Sequence, residues 1–266
     1  MIKLNDVYYT YGTRYAVEGV SLEIKEGEVT AFVGPNGAGK TTIAKLISGI
    51  IKPTRGSVYV DGIDTKKSSH LEIIRKVGII FQNPDYQLFE RTVLEEVMFA
   101  LKNMGYDRRE AQDRAMKALD RFGLSKYADR PPLSLSGGEK KRLTFAIVYA
   151  WDPKYIVFDE PTVGQDGLNL KNLRNLMDEM LKEGKGVIIT SHDMEFLWPL
   201  NPSTFVVKEG KVIWRGKMKE LFKEANYSDA NLIEPQLSVI SKKLSLKEPA
   251  LSVEDAAEVI KGVSNI

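Results

Sequence analysis

The stretch Gly34-Pro35-Asn36-Gly37-Ala38-Gly39-Lys40-Thr41-Thr42 carries the most evident chemistry in this chain. Its glycines let backbone N–H groups close around phosphate oxygens, and a helix starting at Lys40 offers the same anion its positive end. The Lys40 ammonium can reach the β- and γ-phosphates of a nucleotide, and the Thr41 hydroxyl can ligate Mg²⁺. A strand predicted over 29–33 precedes the loop and a helix follows, which is the setting this G-x-x-x-x-G-K-T pattern needs. The plainer alternative is a Gly-rich strand-to-helix turn with no ligand. On the phosphate reading, Asn36, Gly37, Ala38, Gly39, Lys40, Thr41 and Thr42 are the binding residues.

Three further stretches have residue types suited to the same task. Tyr155-Ile156-Val157-Phe158-Asp159-Glu160 is an apolar strand ending in two acids. Asp159 at such a strand end can hold Mg²⁺, directly or through water, while Glu160 can orient or deprotonate an attacking water. Paired acids there also serve as plain helix caps. His192, one of two histidines, follows the strand 186–190 and can donate to a γ-phosphate, though a histidine in Ser191-His192-Asp193 is equally a cap or turn residue. Those three contiguous residues cannot form a hydrolase triad, whose members converge from separate segments. His70 has no such setting and reads as surface. Ser136-Gly137-Gly138 opens a helix and exposes backbone N–H groups, either as a second anion site or as an ordinary Ser cap with flexible glycines. Two phosphate-directed sites so far apart in sequence suggest a meeting across a dimer.

The elements that must position these residues follow from periodicity. Strands are predicted at 2–9, 17–24, 29–33 and 57–60, with one helix at 40–50. The middle is helical: Thr92 caps one helix, Asp107 caps another that stops at Gly123, and a third spans 139–150. Strand 155–158, helix 167–182 and strand 186–190 then alternate, the mark of a buried parallel sheet in an α/β fold. A hairpin, 204–207 and 212–215, precedes a tail beyond about residue 225 that reads as a small helical appendage.

The chain's 266 residues suffice for one large α/β domain plus that appendage. Its 38 basic and 36 acidic residues leave a formal net charge of +2, which argues against nucleic acid held by a strongly basic face. The absence of cysteine excludes disulfides, thiol chemistry and Cys-ligated zinc, and suits a cytosolic setting. No apolar run approaches the roughly 18 residues of a membrane span, and the N-terminus shows no secretory pattern, so a membrane role is expected through a partner.

Residues 1–222 resemble the ATPase subunits of ABC transporters in five ordered motifs. These are the phosphate loop, Phe81-Gln82 as the Q-loop, Leu135 to Glu139 as the signature, Tyr155 to Glu160 as Walker B, and His192 as the switch histidine. Pro161-Thr162-Val163-Gly164-Gln165-Asp166 matches the D-loop. Tyr11 matches the aromatic that stacks on adenine, with Tyr8, Tyr9 and Tyr15 as alternatives. The resemblance implies an α/β P-loop NTPase of the ABC type: a RecA-like core with an N-terminal antiparallel β-subdomain and an α-helical signature subdomain at about 84–150. The ATPase domain would span 1–224, with a dimerising helical extension at 225–266.

The resemblance also implies ATP hydrolysis with Mg²⁺ in a head-to-tail dimer, homo- or heteromeric. The Ser136 hydroxyl and the Gly137 and Gly138 amides would grip the γ-phosphate bound to the partner, and Asp166 joins the nucleotide-binding positions. The catalytic set becomes Glu160, His192, Gln82 and Lys40, and the metal set Thr41, Gln82 and Asp159. Gln165 stands where Leu is common and Glu139 where Gln is common, both compatible with a heterodimer of unequal sites. Phe196-Leu197-Trp198-Pro199-Leu200-Asn201-Pro202 replaces the usual acidic helix after the switch histidine.

Phe81-Gln82-Asn83-Pro84-Asp85-Tyr86-Gln87-Leu88-Phe89 resembles the Q-loop of energy-coupling factor and cobalt/nickel importers. That resemblance implies an ATPase on the cytoplasmic face of the membrane, serving an integral T-component and a substrate-binding S-component in uptake of a vitamin or transition-metal ion. The alternatives are another ABC importer or exporter, and a soluble ABC protein of ribosomes or DNA. The single cassette and the lack of a coiled-coil insert count against the last.

Overall fold

A computed structural model describes residues 1–223, 230–246 and 248–263. In chain order its elements are β1 (Ile2–Thr10), β2 (Tyr15–Ile24), β3 (Val29–Val33), α1 (Lys40–Ile47), β4 (Arg55–Val60), β5 (Ile63–Asp64), α2 (His70–Ile74) and β6 (Val77–Ile80). The helical middle follows as α3 (Val93–Asn103), α4 (Arg108–Arg121) and α5 (Gly137–Trp151). Then come β7 (Tyr155–Asp159), α6 (Gly167–Lys182), β8 (Gly186–Ser191), α7 (Met194–Leu197), β9 (Ser203–Lys208), β10 (Lys211–Lys217), α8 (Met218–Leu221), α9 (Gln236–Lys243) and α10 (Val253–Val263).

Two sheets divide the strands. The first, β2-β1-β4-β5, is antiparallel throughout, with Ile2 opposite Ile24 on one side and Val60 on the other. The second runs β10-β9-β3-β8-β7-β6 and is parallel except for β10. Every residue of β3, β7 and β8 is buried, as continuous apolar strands covered on both faces must be. Burying each large side chain there contributes about 1.5–3 kcal/mol.

Helix α1 packs between the sheets, where Ile43, Leu46 and Ile47 join Ile2, Leu4, Ile24, Phe32 and Val157. On the opposite face α6 brings Leu173, Leu176, Met177 and Met180 against Phe158 and Ile189. Helices α3, α4 and α5 form their own core around Val97, Leu101, Ala115, Leu119 and Leu143. Thr92 and Asp107 cap α3 and α4 as their sequence positions predict.

Some boundaries differ from expectation. Helix α1 ends at Ile47 rather than 50, because the Ser48 hydroxyl donates back to the Ala44 carbonyl and Gly49 turns left-handed at φ +69°. Strand β6 has no counterpart among the predicted strands: it is four residues long and pairs only with β7, so local pattern says little about it. The segment after the switch histidine forms α7 and a turn of 3₁₀ helix, Trp198–Leu200. The expected domain boundary at 224/225 lies outside the described residues. Among the described residues no helix is long and apolar enough to cross a membrane.

Candidate functional site

Four adjacent parallel strands deliver the candidate residues at their carboxyl ends. In spatial order β3 leads into the phosphate loop, β8 into His192, β7 into Asp159-Glu160, and β6 into Phe81-Gln82. The carboxyl edge of an open parallel sheet is where such folds bind ligands.

The loop's shape depends on two glycines. Gly34 has φ +152°, and a Cβ there would run into the Val207 carbonyl; Gly39 has φ +109°, and a Cβ would meet the Ala16 carbonyl. Only glycine tolerates both the angle and the space, and the backbone left around Lys40 can close on an anion. Helix α1 begins at Lys40 with no side-chain cap, so its first N–H groups remain available. Lys40 is buried, and its Nζ donates to the carbonyls of Gly34 at 2.8 Å and Pro35 at 3.1 Å.

Thr41 and Asp159 meet across 118 positions of sequence, the Thr41 hydroxyl donating to Asp159 Oδ1 at 2.9 Å. The Thr190 hydroxyl donates to the same oxygen. Asp159 is buried at the end of β7, so three elements aim one carboxylate and one hydroxyl at the same place. Among the described residues no group of three or more His, Cys, Asp or Glu side chains could hold a metal. The Thr41 hydroxyl and the Asp159 carboxylate are hard oxygen donors, a set that suits Mg²⁺, which takes one or two protein oxygens and completes its shell with water and substrate phosphates.

Glu160 lies just past β7 with φ +47°, a left-handed conformation uncommon for a side chain of this size. Its N–H donates to the Thr190 carbonyl at 2.9 Å. Its carboxylate is buried between two cations or donors: Lys40 Nζ lies 3.2 Å from Oε1, and His192 Nδ1 lies 2.9 Å from Oε2. The His192 side chain is half exposed. Lys40, Glu160 and His192 thus form one chain of contacts across three loops.

Gln82 lines a cavity of about 820 Å³ together with Thr41, Lys45, Phe81, Asp159 and Val163. Its exposed side chain makes no hydrogen bond to another described residue. Ser136, Gly137, Gly138, Asp166 and Tyr11 line none of that cavity. Ser136 caps α5 in a reciprocal box: its amide and hydroxyl donate to Glu139 Oε2 at 2.9 and 2.7 Å, and the Glu139 amide donates back to its oxygen. The Ser136 hydrogen bonds hold the Glu139 carboxyl well below the usual range, at about 2. Asp166 caps α6 through the Asn169 amide. Of the four N-terminal tyrosines, Tyr11 is the most exposed, with its ring edge-on to Tyr9.

Three residues at the site escaped the motif reading. Thr190 orients Asp159, and its only sequence signal is a hydroxyl at the end of an apolar strand. Glu96 is buried in α3 and accepts the amides of Phe89 and Glu90, both at 2.8 Å. Lys141 is buried in α5, where Thr144 and Val148 share its face; a lysine on an apolar helical stripe was the available signal.

Comparison with known proteins agrees with this geometry. The profile of the ABC transporter family matches residues 17–163. The chain is 41% identical to the energy-coupling factor transporter ATP-binding protein EcfA of Methanosphaera stadtmanae, over 92% of this chain and 89% of that one. CbiO1 of Clostridium perfringens, part of the ABC transporter complex CbiONQ, is 36% identical and superposes with a TM-score of 0.74 over 91% of this chain and 98% of that one. An ATP-binding cassette solved as a dimer in a post-hydrolysis state with ADP and Pi is 31% identical, with a TM-score of 0.74 over 82% of this chain and 99% of that one.

Proposed function

The chain belongs to the ABC transporter family as an ATP-binding, ATP-hydrolysing subunit, and we propose that it powers an importer of the energy-coupling type. The observation that carries the finer reading is the likeness to EcfA and CbiO1 over about nine-tenths of the chain, joined to the Asn83-Pro84…Leu88-Phe89 form of the Q-loop. On this reading residues 1–224 are the ATPase domain, with about 84–150 as its signature-bearing helical part and 225–266 as a dimerising extension. The subunit sits peripherally on the cytoplasmic face of the membrane beside an integral T-component and a substrate-binding S-component. Its cargo is a vitamin or transition-metal ion.

Each site residue then has a role. Backbone amides of Asn36 to Thr42 and the Lys40 ammonium hold the phosphates, and Tyr11 stacks on adenine. Thr41 and Asp159 would hold Mg²⁺, with Gln82 reaching toward it. The ion supplies charge neutralisation at the β- and γ-phosphates. Glu160 takes the proton of the attacking water, and His192 donates a hydrogen bond to the γ-phosphate. Ser136, Gly137 and Gly138 close the partner's site, with Asp166 beside them. In this structure the Ser136 amide and hydroxyl are held by the Glu139 carboxylate, so on this reading the partner's γ-phosphate takes the Ser136 hydroxyl from Glu139.

Purification from detergent-solubilised membranes tests the finer assignment. Co-isolation of a T-type integral protein with a second ATPase copy or paralogue supports it. Recovery with paired transmembrane domains of an exporter, or of an importer fed by an external binding protein, overturns it.

A further inference from the structure

Two consecutive lysines near the start of α5 reach back to the Q-loop. Lys140 Nζ lies 2.8 Å from Asp85 Oδ1. Lys141 Nζ donates to the carbonyls of Phe81 and Gln82, both at 3.2 Å. Strand β6 ends at Ile80, so neither carbonyl has a ladder partner. The loop's own contribution is Gln87, whose side chain accepts from the Phe81 amide and donates to the Ile79 carbonyl, both at 3.2 Å. Lys141 therefore supplies the only described side-chain donor to the backbone oxygens on either side of the Gln82 Cα.

Lys141 is only 3% exposed. An ammonium taken out of water is costly unless acceptors replace the lost hydration, and a methionine would fill the same space without that cost. A charge kept in this position is better explained by what it holds than by packing. We propose that Lys141 is a positioning residue that straps the Phe81–Gln82 backbone to the helix opened by the signature Ser136, setting where the Gln82 side chain stands. The strap makes one rigid piece of the residues that contact a chain's own nucleotide and the helix start offered to the partner's. This rests on the reading of Gln82 as a group that contacts the metal or the water during hydrolysis.

The test is a mutant cycle in the full-length chain, reading turnover and, by calorimetry, ATP affinity. Lys141→Met is expected to lower kcat about tenfold, the scale of a slightly misplaced reacting group, with the ATP Kd unchanged within about twofold. Lys141→Gln, which keeps an N–H donor, is expected to recover most of that loss. In a Gln82→Ala background Lys141→Met should cause no further loss. An equal fold-loss in both backgrounds, or wild-type turnover in Lys141→Met, overturns the strap. Wild-type turnover in Gln82→Ala alone overturns the underlying role of Gln82, and the strap with it. Should Lys141→Met not fold, Lys141→Gln carries the cycle, with a smaller loss of kcat in the wild-type background that disappears in the Gln82→Ala background; an equal loss in both overturns the strap.

Discussion

Lys40 and Glu160 form a buried ion pair, Nζ to Oε1 at 3.2 Å, with each side chain less than a tenth exposed. The lysine is the phosphate-directed cation of the loop and the glutamate the candidate base, so phosphate and carboxylate compete for one ammonium. A nucleotide that takes the lysine releases the carboxylate to a water. His192 lies 2.9 Å from the other carboxylate oxygen, where on the proposed reading it would keep Glu160 aimed during that exchange.

Glu160→Gln should leave ATP affinity equal to wild type or somewhat tighter, because a negative charge near the phosphates is gone and Lys40 is freed. Turnover should fall by about 10²–10⁴-fold, the usual worth of a general base, and the ATP-bound dimer should accumulate. Single-turnover hydrolysis and size-exclusion chromatography with ATP check both parts. Wild-type hydrolysis would remove Glu160 from the mechanism.

Lys40→Ala acts on the same pair with a different signature. It removes a phosphate contact, so ATP affinity in a calorimetric titration should drop at least tenfold. It also leaves the Glu160 carboxylate buried with only His192 beside it. Breaking a buried pair on one side costs about 3–5 kcal/mol, so thermal stability should fall as well. The double variant Lys40→Ala with Glu160→Gln should regain much of that stability without regaining affinity. A double variant as unstable as Lys40→Ala would show that the pair is not the source of the loss.

The site's main parts were legible because each lies in a local pattern with its own geometry. The phosphate loop, the acids ending β7 and the histidine ending β8 are short motifs fixed by one strand end each, and the parallel sheet follows from continuous apolar strands. What was hidden depends on contacts between distant segments. Thr190 matters only because β8 lies beside β7, and Lys141 only because α5 crosses the end of β6. Strand β6 was missed because an edge strand of four residues owes its conformation to its neighbour. Glu139 was read only as a departure from a common glutamine, although the S-x-x-E spacing from Ser136 is itself the local pattern of the capping box the structure shows.

Glu96 supplies the pH-dependent prediction. Burial raises its pKa above the ordinary carboxylate value, only partly offset by the Glu90 and Phe89 amides it accepts. The folded state thus binds the proton more tightly than the unfolded state, so deprotonation costs stability as pH rises through the window between the two values. Glu96→Gln has no such term. Its unfolding midpoint relative to wild type should be constant below about pH 4.5. Above that, the variant should gain by roughly 1.4 kcal/mol per pH unit until the folded-state pKa is passed. Parallel thermal melts from pH 4 to 8 give the difference, and a flat difference would sink the assignment. Glu96→Gln keeps an oxygen to accept the Phe89 and Glu90 amides, so the comparison isolates the titration from the loop's anchoring.

The segment that departs from the family pattern after His192 makes the last prediction. Trp198 is fully buried and stands edge-on to Phe222. Its indole Nε1–H donates to the Ala250 carbonyl at 2.8 Å, 52 positions away. The Ala250 amide donates to Ser241 Oγ, and that hydroxyl donates to the Leu237 carbonyl, so one tryptophan is linked through Ala250 to α9 itself. Trp198 thereby ties the residues around α9 and Ala250 to the core in which it is buried. Trp198→Phe keeps an aromatic ring but leaves the Ala250 carbonyl without its donor, at a cost of about 1–3 kcal/mol. Limited proteolysis should then cut between residues 230 and 263 faster than in wild type, while the ATP affinity of the monomer stays the same. If the tail contributes to pairing, the ATP-dependent dimer of Trp198→Phe should weaken in parallel with its cleavage. Unchanged cleavage would mean that the tail is held by its apolar contacts, Leu237 and Leu251 against the core, and not by this hydrogen bond.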